Sequence, residues 1–88
     1  RYPDQISGGE ARRVSLARAL APRPRRLLMD EPLTNLDEEL KYRLLDYIKN
    51  TASRDATSLV YVTHDLEEAK RISDRVMVME RGRLSEAL

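Results

Sequence analysis

Apolar residues along the chain come in short groups whose spacing switches from helical to extended and back. Val14, Ala17 and Ala21 share one helical face while Arg12, Arg13 and Arg18 lie mostly elsewhere, which predicts a helix over about residues 9–21. Pro22 and Pro24 forbid its continuation and mark a connector. Leu27, Leu28 and Met29 form a run too brief for a buried helix. Closed by Asp30, Glu31 and Pro32, it predicts a central strand covered on both faces, with the acids at its carboxyl end.

Leu40, Leu44 and Ile48 then recur at helical spacing, predicting a second helix that ends near residues 50–52. Thr34, Asn35 and Asp37 all offer side chains able to cap it. Leu59, Val60, Tyr61 and Val62 are β-branched or aromatic for the most part and predict a second buried strand, with Thr63, His64 and Asp65 at its carboxyl end. Asp65 and Glu68 have the spacing of a capping box for a helix holding Leu66, Ala69 and Ile72. Residues 75–80 predict a third strand, turned back through Arg81 and Gly82 into a hairpin reaching Leu84, and Met77 and Met79 are read as core. The alternation of strand and helix is that of an α/β fold, in which ligands bind at the carboxyl ends of parallel strands.

Composition narrows the picture. With 88 residues, 5% aromatics and neither Trp nor Phe, the chain can bury only a small core, so little stability is expected of it in isolation. Sixteen Lys and Arg against 15 Asp and Glu leave a net charge of +1, no basis for a nucleic-acid or anionic-membrane partner. The arginines at 12, 13, 18, 23, 25 and 26 lack interleaved aromatics and read as a solvated face or a subdomain contact. Without Cys there is no disulfide or thiolate metal site, and no apolar run reaches membrane-spanning length. The turn-like start Arg1, Tyr2, Pro3, Asp4 reads as a cut within a longer protein.

Three groups of residues carry candidate chemistry. Ser7, Gly8 and Gly9 precede a helix, where a hydroxyl, closely approaching backbone N–H groups and the positive helix end can together hold a phosphate; the same turn also serves simply as a cap. Asp30 and Glu31 follow a strand, an arrangement suited to Mg²⁺ held by Asp30 and an attacking water oriented or deprotonated by Glu31, or to no more than a solvated loop. His64, the chain's only histidine, is placed to hydrogen-bond a terminal phosphate or a water, though a lone His at a strand end is often incidental.

The succession of these groups is more specific than any one of them. In the segments YPDQISGGEARRVSLARAL, LLMDEPLTNLD and VTHDLEEAKRISDRVMVMERGRL, nearly the whole chain resembles the carboxyl-terminal half of an ABC ATPase nucleotide-binding domain, most closely those of bacterial solute importers. The resemblance implies part of a P-loop NTPase-type three-layer sandwich with a mostly parallel sheet ending in a hairpin. Residues 1–24 would close a helical subdomain and residues 25–88 would belong to the catalytic core. Ser7, Gly8, Gly9 and Glu10 match the signature motif, which in the family contacts ATP held by the opposite subunit. Asp30 matches the Walker B metal-binding carboxylate, Glu31 the catalytic base, Asp37 the D-loop acid near the dimer interface, and His64 the switch histidine.

Implied with these are ATP and Mg²⁺, a head-to-tail second nucleotide-binding domain, and permease subunits holding the protein at the cytoplasmic side of the membrane. A soluble ABC ATPase of DNA repair or chromosome maintenance and a noncatalytic interaction fragment are the alternatives, the first suggested by Glu10. Ile6 and Glu10 replace the commoner Leu and Gln of the signature, and Arg26 stands at a usually apolar position, expected at the strand's entrance with its head in water. The pattern G-x-x-x-x-G-K-[ST] occurs nowhere in the 88 residues, so the chain alone is expected neither to bind ATP tightly nor to hydrolyse it.

Overall fold

The computed structural model describes residues 8–86. They form helix α1 (Gly8–Leu20), strand β1 (Arg26–Asp30), helix α2 (Glu38–Arg54), strand β2 (Ser58–Val62), helix α3 (Leu66–Ile72) and the strands β3 (Met77–Glu80) and β4 (Arg83–Glu86). The α/β order is the one expected. β1 and β2 are parallel neighbours, with Arg26 level with Ser58 and Asp30 level with Val62.

Helix α2 is the centre of the packing. Its Leu44, Leu45 and Ile48 are buried with Leu16 and Leu20 of α1, Met29 of β1, Leu33 and Ile72 of α3. Of the candidate caps, Asp37 is the one used: its side chain accepts from the Leu40 N–H at 3.0 Å, and helix and carboxylate are matched in dipole as well. The helix runs past the expected end to Arg54, because Thr51 and Ala52 are buried and extend its inward face by a turn. α3 is tied to α2 by Arg71, which holds Asp46 through two nitrogens at 3.2 and 3.1 Å and stacks over the Tyr42 ring.

Four expectations need correction. The buried stripe of α1 is Leu16 and Leu20, while Val14 is 52% exposed. The larger i, i+4 leucine pair displaces more water than Val14 with two alanines, and so decides which face turns inward. Gly9 lies on that side, where a Cβ would come within 2.3 Å of Leu40 Cδ2; glycine lets the start of α1 approach the first turn of α2.

Among the described residues the parallel pair is covered on one face only. Leu27, Met29, Leu59 and Tyr61 face the helices, whereas Leu28, Val60 and Val62 are exposed. Third, Met77 and Met79 are exposed rather than core, since β3 pairs only with β4 in a separate two-stranded sheet and nothing described covers them. The hairpin turn itself is as read, with Arg81 and Gly82 both at positive φ, as a two-residue turn between twisted strands requires.

Last, Asp65 caps α3, accepting from the N–H groups of Glu67 and Glu68, but the box is not closed. The Asp65 N–H donates to Thr63 Oγ1, and the Glu68 side chain turns inward instead. There its carboxylate accepts from the Tyr61 hydroxyl at 2.5 Å and lies 3.6 Å from Lys41 Nζ. A carboxylate buried this deeply requires a donor and a cation, and both are present.

Candidate functional site

Strand register assembles the site. With Asp30 level with Val62, the residues leaving the carboxyl ends of β1 and β2 emerge side by side, and the Glu31 N–H donates to the Val62 carbonyl at 2.8 Å. Glu31 Oε1 and His64 Nε2 are thereby brought to 3.3 Å. The contact is a proximity without the alignment of a hydrogen bond, and Glu31 Oε1, shielded from solvent, has no hydrogen-bond partner among the described residues. An acceptor withdrawn from bulk water with its capacity unused is suited to a water or substrate proton delivered from the cleft.

That cleft, about 530 Å³, is lined by Glu31, Thr34, Asn35, Lys41, Thr63 and His64 among others. His64 stands 95% exposed at its mouth, against 25% for Glu31, so the imidazole can meet a bound group without rearrangement of the core. Asp30 follows the alternation of Leu28, lies on the open face of β1 and is exposed. No three His, Asp or Glu side chains cluster to cage a metal among the described residues. A lone exposed carboxylate beside a second acid nevertheless fits Mg²⁺, which keeps its waters and takes its remaining ligands from substrate phosphates.

Of the other expected site residues, Asp37 is spent on its helix cap. Gly8, Gly9 and Glu10 form the first turn of α1, Gly9 and Glu10 are not among the residues lining the cleft, and Ser7 lies outside the described residues. Two side chains missed by sequence reading complete the surroundings. Lys41 bridges Asp65 at 2.9 Å and Glu68, and Arg12 donates to the backbone after Glu31. Their partners lie 20 or more residues away, so no local pattern betrays them.

The polar network beneath the cleft has a defined ionic state. Burial, reinforced by the bond to Glu68, pushes the Tyr61 phenol up, keeping it a donor. The hydrogen bond from Lys41 holds Asp65 below its ordinary 3.8, and the same bond holds Lys41 above 10.5. The Asp65 contribution is present above 3.8 and is lost as pH falls through its depressed native value; that of Lys41 is lost as pH rises through its raised one. Lys41→Met should therefore lower the thermal midpoint at neutral pH, and by less as pH drops below 3.8. Midpoints of both chains across the acid range would show it; a gap that stays constant would mean the pair is energetically silent.

Residues 1–34 match the model of the ABC transporter family. The chain is 45% identical over 86 residues to the spermidine/putrescine import ATP-binding protein PotA 1 of Pseudomonas aeruginosa, covering 98% of this chain and 23% of that protein. It is 49% identical over 84 residues to the Fe(3+) ions import ATP-binding protein FbpC of Pasteurella multocida, covering 96% and 24%, and 48% identical to the aliphatic sulfonates import ATP-binding protein SsuB 2 of Agrobacterium fabrum, covering 96% and 32%. It thus spans between 23% and 32% of the length of these relatives. Among solved structures, the dimeric post-hydrolysis state of the ATP-binding cassette MJ0796 bound to ADP and Pi matches with a TM-score of 0.78 and 32% identity, covering 98% of this chain and 38% of that one. No described helix is long and apolar enough to cross a membrane.

Proposed function

The chain is related in sequence and fold to the ATP-binding subunits of ABC importers, and from that kinship we propose that it supplies the hydrolytic groups of such an ATPase. The observation that carries this reading is the shielded Glu31 Oε1, without a hydrogen-bond partner among the described residues, beside His64 Nε2. Glu31 takes the proton of a water attacking the γ-phosphorus of ATP, the bond to the bridging oxygen breaks, and ADP and phosphate leave. His64 donates a hydrogen bond to the γ-phosphate or the attacking water from the cleft's mouth. Asp30 would hold Mg²⁺, which supplies charge neutralisation at the phosphates when bound.

Ser7, Gly8, Gly9 and Glu10 would face the γ-phosphate of ATP on a second copy, with Asp37 near the interface. Gly9 and Glu10 are not among the residues lining the Glu31 cleft, which supports that division. Residues 1–24 and 25–88 would belong to the helical subdomain and the catalytic core. The partners would be a head-to-tail ATPase domain and permease subunits at the cytoplasmic face of a membrane. The 88 residues carry no G-x-x-x-x-G-K-[ST] loop to cradle phosphates, so the chain by itself is inactive. Titration of the isolated chain with ATP and Mg²⁺ in a calorimeter should give no heat of tight binding, whereas the full-length ATPase binds and turns over ATP. Micromolar affinity in the isolated chain would overturn this division of labour.

A further inference from the structure

Arg13 and Arg18 of α1 are exposed, but Arg12 is turned in, and its guanidinium makes a two-pronged contact. Nη1 donates to the Pro32 carbonyl and Nη2 to the Thr34 carbonyl at 3.1 Å. The two carbonyls flank Leu33, which is 2% exposed, so the loop is held by a buried plug and by the arginine fork together.

The loop needs holding. Both of its ends, Glu31 at φ 49° and Asn35 at φ 63°, lie in the left-handed region. Asn tolerates that region through its short polar side chain, but Glu does not. Pro32 makes matters worse for Glu31, because the ring of a following proline crowds the preceding residue and drives it toward extended backbone. Such a conformation is strained and persists only where surroundings impose it. Upstream, the Glu31 N–H is fixed to Val62; downstream, the Glu31 carbonyl has only a long 3.5 Å contact from the Thr34 hydroxyl, and Arg12 holds the carbonyls of Pro32 and of Thr34 itself.

Resting on the reading of Glu31 as the base, we propose that Arg12 is a positioning residue: its fork on the Pro32 and Thr34 carbonyls keeps Glu31 in the left-handed conformation and its carboxylate at His64. The restraint also links the base to the helix that opens with Gly8 and Gly9, so displacement of that helix is felt at Glu31. A lysine reaches one carbonyl but cannot span two, because only the planar guanidinium presents two parallel donors.

The test compares Arg12→Gln and Arg12→Lys with the parent in the full-length ATPase. Arg12→Gln should lower kcat about 10- to 100-fold, leave the KM for ATP within about twofold, and speed exchange of the Glu31 amide about tenfold or more. Exchange of the Leu45 and Ile48 amides in α2 should not change, showing that the fold is intact. Arg12→Lys should fall between. Unaltered Glu31 exchange in Arg12→Gln would overturn the clamp, as would faster exchange with kcat untouched. A parent without ATP turnover would refute the role of Glu31 as base, and the exchange comparison, which needs no ATP, would still judge the clamp separately.

Discussion

Glu31→Gln in the full-length ATPase is expected to lower ATP turnover by about 10²–10⁴-fold while ATP still drives two copies together. Gln has the same length and shape, so the left-handed backbone at residue 31 and the packing beside His64 are preserved. What disappears is basicity: an amide oxygen still accepts a hydrogen bond from water but does not take its proton. Binding therefore survives and the proton-transfer step does not. Phosphate release, measured alongside the ATP-dependent change in molecular mass, separates the two. Turnover equal to the parent's would remove Glu31 from the chemistry, and loss of ATP-driven association would mean that its charge serves binding instead.

Leu45→Ala is expected to destabilise the fold by about 2–5 kcal/mol. Leu45 is fully buried in the middle of α2, where α1, α3 and the parallel strands converge. A cavity there cannot collapse without shifting all three. Small domains hold only about 5–15 kcal/mol in total, and this chain has no Phe or Trp to compensate, so the variant should be largely unfolded at temperatures the parent withstands. Val60→Ala, on the open face at 61% exposure, should cost no more than about 0.5 kcal/mol in the isolated chain. Urea midpoints for the two variants decide the matter. Comparable losses would mean that the face bearing Leu28 and Val60 is as well packed as the helical side.

The course of the chain was legible because its elements obey local rules. Leu40, Leu44 and Ile48 declare α2 by spacing, Pro22 and Pro24 end α1, and the gathering of Glu31 and His64 follows once two short apolar runs are taken as parallel neighbours. What escaped was set by tertiary choice. The inward face of α1 turns on Leu16 and Leu20, whose larger apolar area outweighs Val14 with two alanines once α2 is there to receive it. Glu68 has the spacing of a capping residue, yet Tyr61 on β2 and Lys41 on α2 offer its carboxylate a buried site. Met77, Met79, Leu28 and Val60 are as apolar as any core residue; hydropathy reports their preference for burial, not whether a neighbour is there to bury them. Arg12 looks like its solvated neighbours until the loop after Glu31 is seen beneath it.

The alignment of β1 against β2 has a consequence for how the chemistry comes into being. Since side chains alternate with a period of two, a shift of one residue would turn Tyr61 outward, bring Val60 under the helices and carry His64 out of step with Glu31. Tyr61, anchored by Glu68, therefore acts as a gauge: only one pairing lets its ring go in and its hydroxyl find an acceptor. Correct zipping of two five-residue strands and assembly of the acid and imidazole are a single event, so a misaligned sheet would have neither a sound interior nor an operative cleft.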